Sequence, residues 1–398
     1  MPRIFPIIIL LVAAAILSAC STSPSPVLPP AKLTSIKTEF SITEQWVRQL
    51  GEGVSDHYYL LTPVFYNDTI YTIDYLGFLS ATNHLTGDTL WDKQFNLSVS
   101  AGLTQIDNSL LFATSEGEVI ALDIKSGDQL WKSQVSSEVF AKPVQAGKYV
   151  IVKSVDGRVA ALDLKTGKSI WVYDRAVPAL TLRGNSAAVV YENTVIVGLD
   201  NGKLIGLSVD TGQVIWKLTV AVPKGSTEIE RMIDIDATPV IDGDNLFVVT
   251  YQGRIANIHI SSGQLVWTRD FSAYNGIVVD ATKLYVSDSE GYVWALDRKS
   301  GATIWKQDKL IRRSLTQPAL YNKSIVVADF NGFVHWLDRE DGHLQARFRL
   351  GGYDSDTETE DDFIFPKSNS VLIAPVVFNN KLFVVDRHGY ISNLVISN

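Results

Sequence analysis

One unit of fixed length recurs along this chain of 398 residues: a turn ending in Gly, a short apolar strand, an Asp-x-x-Thr/Ser-Gly turn, then Trp. Five of the six full copies, Gly77–Trp91, Gly117–Trp131, Gly157–Trp171, Gly202–Trp216 and Gly291–Trp305, and the sixth, Gly253–Trp267, share one Gly-to-Trp spacing of fourteen residues. A seventh, Gly332 to Ala346, keeps the register without the Trp, and an eighth begins at Gly389 and runs to the last residue. A unit of about forty residues cannot bury its own apolar face, so the fold has to be read from the stacked array.

Each leading Gly follows an apolar run such as LLFATSEG, VIVKSVDG or LFVVTYQG, with the alternating or continuous apolarity of strands. Asp156-Gly157, Asn201-Gly202 and Asn331-Gly332 predict tight hairpins, whose turns need the positive φ that these residues accept. The next strand (VIALD, VAALD, VWALD) is apolar on both faces and is expected to be covered on both. Asp123, Asp163, Asp297 and Asp338 then open a turn, because Asp and Thr/Ser can bond their own backbone. With the strand that ends in Trp, and an Ala/Pro-containing strand ahead of the hairpin, each repeat holds four antiparallel strands. The array therefore predicts an all-β, eight-bladed β-propeller of four-stranded antiparallel blades. The Trp is expected between neighbouring blades, since a ligand-stacking aromatic would not recur at one phase in six of them. Trp46 has no repeat of its own upstream, which predicts a ring closed by the N-terminal strand pairing into the C-terminal blade.

Residues 1–19 read as a signal peptide: Arg3, an apolar stretch from Ile4 to Ile16, then small residues. Residues 20–38 are a Ser/Pro-rich tether beginning at Cys20, and 39–398 are the propeller. Cys20 is the only cysteine, so no intramolecular disulfide forms. The formal charge of −8, without a basic cluster, argues against nucleic acid and against broad adsorption on anionic lipid. Leu17-Ser18-Ala19-Cys20 resembles a bacterial lipobox. That resemblance implies a diacylglyceryl group on Cys20, cleavage before it and acylation of the new amine, and two or three chains anchor durably. In lipoproteins of this kind Ser21, where Asp would favour the inner membrane, implies the outer one.

Chemistry is scarce. The six histidines are scattered, and no metal, P-loop or nucleophile motif is present. The recurring Asp sits at a fixed place before a turn Gly and spreads around the ring, whereas catalytic groups converge on one pocket. The expectation is a non-enzyme without cofactor. The Ala-Leu-Asp-x-x-Thr-Gly-x-x-x-Trp element resembles the repeat of quinoproteins (PQQ-type), which implies as the alternative a periplasmic PQQ-dependent dehydrogenase. Against it stand the short chain, no calcium-ligand set and a lone Cys that cannot form the vicinal pair of many such enzymes. Asp354–Asp362, the one acidic run, fits no EF-hand loop and reads as a solvated insertion. A third reading, binding of cell-wall glycan, predicts clustered aromatics and amides in the central channel.

Successive Trp-to-Trp steps are 40, 40, 45, 51 and 38 residues, so two adjacent connections are overlong. Residues the scaffold does not need are where function concentrates. The first insertion, AVPALTLRGNSA, puts Leu180 and Leu182 on one side of an extended segment beside Arg183. The second, VPKGSTEIERMIDIDATP, does the same for Asp234 and Asp236. Two apolar anchors, one cation and two carboxylates on one face fit a protein-docking patch, and no third ligand supports a metal at the Asp-x-Asp. The lipobox, the repeats and the segments LTLRG and STEIERMIDIDATP together resemble the BamB family of the outer-membrane β-barrel assembly machinery, over essentially the whole chain. The resemblance implies a scaffold that docks on the periplasmic POTRA region of BamA through Leu180, Leu182, Arg183, Asp234 and Asp236. It also implies other components of that complex as partners, unfolded outer-membrane proteins as clients, and a place on the periplasmic side of the outer membrane.

Overall fold

The computed structural model describes residues 28–175, 184–227, 230–351 and 369–397. Eight four-stranded antiparallel sheets form the eight blades. Blades 1 to 7 span 64–94, 99–134, 144–173, 189–219, 240–271, 277–307 and 319–349. Blade 8 takes its three inner strands from 376–397 and its outer strand from Ser41–Gln49. Pairing of Ser41 with Ser397 and Gln49 with Tyr390 closes the ring as the stranded Trp46 predicted. The third strands are buried on both faces, as in Glu118–Asp123, while the outer strands expose alternate residues to solvent.

The inter-blade Trp does pack on its neighbour, and the structure shows on what. Trp46, Trp91, Trp131, Trp171, Trp216, Trp267 and Trp305 each lie against the turn Gly of the following blade: Gly87, Gly127, Gly167, Gly212, Gly263, Gly301 and Gly342. A Cβ at those glycines would stand 2.5–3.2 Å from the indole, and each has φ between +65° and +77°. Gly is thus required twice over, by backbone and by space. Several indoles also donate to a carbonyl of the same turn, as Trp171 Nε1 does to Val209 O at 2.8 Å. Ala346 now has an explanation. Blade 7 faces blade 8, where the link between third and outer strands is the seam itself and no turn Gly exists to receive an indole. The buried volume is filled from blade 7's own third strand by Trp336, which pairs across to Ala346.

The hairpins differ in kind from the tight turns expected. Ser154 N donates to Arg158 O and Gly157 N to Ser154 O, leaving three loop residues with Gly157 alone at positive φ. This is a type I turn closed by a left-handed Gly, so only the Gly is constrained. A second repeated signal lies three residues before that Gly. Asp74, Thr114, Thr250, Asp288, Asp329 and Asp386 each accept a turn N–H there, as Asp288 Oδ1 does from Tyr292 N at 2.9 Å. Blade 3 has Ser154 there, whose Oγ donates to Asp156 Oδ1 at 2.6 Å, and blade 4 has Leu199. The other repeated turn behaves as predicted, with Asp163 Oδ1 accepting from Thr166 N at 2.9 Å and Thr166 Oγ1 at 2.8 Å.

Residues 28–40 have no regular structure, yet they are docked along the outside of blades 6 and 7. Pro29 O accepts from Arg312 Nε (2.7 Å), and Ala31 N donates to Ile311 O (3.0 Å). Ala31 O and Thr34 O accept from Arg313 and Arg347, each at 3.0 Å. Glu39 N donates to Gln345 O at 2.9 Å. Leu33, 3% exposed, belongs to the core cluster of Tyr285, Phe333 and Leu344.

Candidate partner-docking face

In a four-stranded meander the inter-blade connections and the turns between second and third strands emerge on one face; the Asp-x-x-Thr/Ser-Gly turns emerge on the other. The described ends of both overlong connections, 174–188 and 220–239, therefore lie on the first, the connection face, flanking blade 4. Leu180, Leu182 and Arg183 fall outside the described residues. Their C-terminal neighbour Gly184 is placed, and it ties the two insertions together. A Cβ there would stand 1.8 Å from Asp236 Oδ1, so position 184 takes Gly because its backbone lies against the second insertion's carboxylate. Next along, Ala187 N donates to Thr238 Oγ1 (3.0 Å) and Ser186 Oγ to Ala237 O (3.2 Å). The second insertion also carries a reciprocal cap, with Glu230 N donating to Thr227 Oγ1 and Thr227 N to Glu230 Oε2, both at 3.1 Å.

Asp234 and Asp236 share a side, and that side faces inward. Asp234 is 1% exposed and Asp236 half-buried; Ile235 between them packs into the core, and Ile233 before them is buried too. They look toward a group of charges that the motif search missed. Lys153 is buried, donates to Gly198 O at 3.0 Å and lies 4.0 Å from Asp200. Arg175, at the root of the first insertion, pairs with Asp200 at 2.7 Å. Burial and then the neighbouring Asp234 raise the Asp236 carboxyl to about 7, while Lys153 opposes them. Burial lowers Lys153, against the pull of Asp200, Asp236 and Asp234. Two cations here face three carboxylates.

A signal for this cluster was present. The residue four before the hairpin Gly is Ile73, Ala113, Gly198, Val249, Ser287, Ala328 and Val385 in the other blades, and Lys153 in blade 3. Gly198, at the same position in blade 4, accepts the Lys153 bond through its carbonyl. The displaced carboxylate at Asp200, one residue after the uncapped Leu199, completes it.

Beside the cluster, the channel at the centre of the ring opens on the same face. A cavity of about 470 Å³ is lined by Tyr58, Tyr251 and Tyr274, by Asn185 and Asn275, and by Asp236. Deeper, a second of about 330 Å³ holds Lys142, Gln317 and Phe140. Elsewhere, His335 lies 3.1 Å from Asp329, a pairing that resembles an acid–base couple. Both are fully buried, Asp329 is also bound by Arg313 at 2.6 Å, and burial lowers His335 to about 4. The pair is a neutral imidazole in a structural network.

A family model described as outer membrane protein assembly factor BamB matches residues 77–307. The outer membrane protein assembly factor BamB of Pseudomonas aeruginosa is 42% identical, over 96% of each chain. The chain belongs to the BamB family. BamB of Kangiella koreensis is 40% identical over 96% of this chain and 94% of that one. BamB of Escherichia coli is 34% identical over 87% and 92%. The fold matches the crystal structure of BamB from Moraxella catarrhalis with a TM-score of 0.78 at 23% identity, covering 89% of this chain and all of that one. It also matches a quinohemoprotein alcohol dehydrogenase from Comamonas testosteroni, TM-score 0.69 at 11% identity, covering 89% and 76%. BamB-family chains and quinoproteins thus share the propeller, and the sequence relationship is with BamB.

Proposed function

We propose that this BamB-family chain is a non-catalytic lipoprotein scaffold of the outer-membrane β-barrel assembly complex. Its signal peptide is removed, Cys20 is acylated, and the propeller stands on the periplasmic side of the outer membrane. The connection face docks on the POTRA region of BamA and promotes insertion of outer-membrane proteins. Leu180 and Leu182 serve as apolar anchors and Arg183 as the charged selector. Asp236, half-buried at the channel mouth, reaches the partner directly, and the buried Asp234 acts by holding Asp236 and the loop in place. The observation that carries this reading is the lacing of the two insertions through Gly184 and Asp236 on one face, at two adjacent connections longer than the repeat requires. A single laced patch suits a partner surface in a way that two independent loops would not.

The test is capture of BamA by the triple variant Leu180→Ala, Leu182→Ala, Arg183→Ala. Loss of capture with an unchanged unfolding midpoint is expected, and full retention overturns the assignment. Reconstitution with PQQ and calcium tests the alternative, which turnover with bound quinone would establish.

The channel lining favours one second reading. Three tyrosines above amides match the lining required for stacking and bonding a glycan. Sedimentation of the chain with purified peptidoglycan in the absence of BamA supports that reading, and a Tyr251→Ala, Tyr274→Ala variant that sediments equally well removes it.

A further inference from the structure

The docked segment 28–40 makes the tether shorter, and places its exit. Between Cys20 and Leu28 lie eight chain steps, a reach of at most about 29 Å. Were the chain undocked back to Ser41, the twenty-one steps would span about 75 Å, and either face of the ring could meet a membrane. Docking removes that freedom. Pro29 and Ala31 are held by Ile311, Arg312 and Arg313, in the connection between blades 6 and 7. Arg312 N in turn bonds Glu290 O, in the turn between the second and third strands of blade 6. Both belong to the connection face. From there the segment passes Leu33 into the core and reaches the opposite face at Glu39, where His343 and Gln345 receive it.

We propose that residues 28–40 are a strap that delivers the lipid-bearing end of the chain to the connection face, so that the bilayer lies over the face carrying the two insertions and the channel mouth. The proposal rests on acylation of Cys20. Strands of five to six residues are about 17–20 Å long, before turns are added. A leash of about 29 Å that starts at the rim of the connection face is used up in reaching round to the other face. The strap thereby makes a flexible lipid anchor into an orienting one, and restricts the partner surface to a zone next to the membrane. Its grip is distributed: a buried leucine in the middle, guanidinium groups bonding carbonyls at one end, and a His343 bridge between Asp341 (2.5 Å) and Glu39 (2.6 Å) at the other.

The test uses the mature, acylated full chain on vesicles of phosphatidylethanolamine and phosphatidylglycerol with a headgroup-labelled energy acceptor. Because Cys20 is the only cysteine and is acylated, one added thiol takes the donor dye cleanly. Val222→Cys marks the connection face and Leu85→Cys the opposite one; both positions are exposed. Severalfold higher transfer from position 222 than from 85 is expected. That difference should collapse in Leu33→Asp, and in Arg312→Ala, which loosens the strap without touching the core. Equal transfer from both faces in the unaltered chain, while it co-floats with vesicles, overturns the proposal. So does a difference that neither variant reduces. Failure to co-float removes the anchor and with it the membrane orientation. Strap docking is then judged separately by hydrogen exchange, where the Ala31 and Glu39 amides should be protected roughly tenfold or more over the Leu33→Asp variant.

Discussion

Seven junctions of the ring are made the same way and one sector is made differently. At the seven, an indole covers a turn glycine of the next blade, an apolar contact with no titratable group that repeats because each blade meets the same neighbour. Around blade 4, the scaffold has gained a charge cluster of Lys153, Arg175, Asp200, Asp234 and Asp236 beneath two overlong connections. The indole contacts resist change at any pH. The charged sector costs desolvation at its members and responds to protonation at Asp236. The repeat supplies uniform apolar joints, and its interruption supplies buried charge.

The sharpest way to break that contrast is at a Trp–Gly contact. Gly212→Ala puts a methyl 2.5 Å from Trp171 at φ +68°, combining a left-handed penalty with overpacking, and should cost about 4 kcal/mol. Gly147→Ala has a similar φ of +59° with nothing within 4 Å, and should cost about 1 kcal/mol. Equal shifts in denaturant midpoint would show that the indole contact contributes nothing. Next, Lys153→Met leaves the half-buried Asp200 and the buried Asp234 short of a cation and should cost about 3 kcal/mol, with partner capture also impaired. A stable variant would mean that Arg175 alone suffices.

Asp236→Asn should do the opposite to stability. The Asp236 carboxyl is raised to about 7 in the fold, so the folded state holds its proton more tightly than the unfolded chain. Stability therefore falls as pH rises from about 4 to about 7, and the Asn variant should gain about 1–2 kcal/mol at pH 8 and nothing at pH 4. If Asp236 also touches the partner, capture weakens while the fold strengthens, a pairing that a merely structural residue would not give. The smallest effect belongs to His343. Its hydrogen bonds to Asp341 and then Glu39 raise its pKa, so the bridge is complete at pH below the ordinary imidazole value and is lost as pH rises through the raised one. Protection of the Glu39 amide should show that step in the native chain and lack it in His343→Gln.

How much of this was legible depends on the range of the contacts. The ring, the blade number and the seam at Trp46 follow from a local repeat, because each copy states its own strands and turns. The Asp-x-x-Thr/Ser-Gly turn was readable for the same reason. The three-residue hairpin loop was not, since Asp-Gly and Asn-Gly serve more than one turn and only the φ values separate them. Alternation put Asp234 and Asp236 on one side of an extended segment but could not say whether that side faced solvent or Lys153. The strap was illegible altogether. Residues 28–40 have no period, and their partners lie about 280 to 310 positions away in the sequence.

The seam has a consequence in time. Ser41 through Gln49 pair only with Tyr390 through Ser397, so a chain made and exported N-terminus first holds its earliest strand unpaired until its last residues arrive. Every blade before the eighth can form beforehand; the ring cannot. Closure over so long a separation is slow compared with local hairpins. It is a completion signal written into topology: a truncated or stalled chain exposes the waiting strand edge and never closes the ring, so only a finished molecule has an intact connection face.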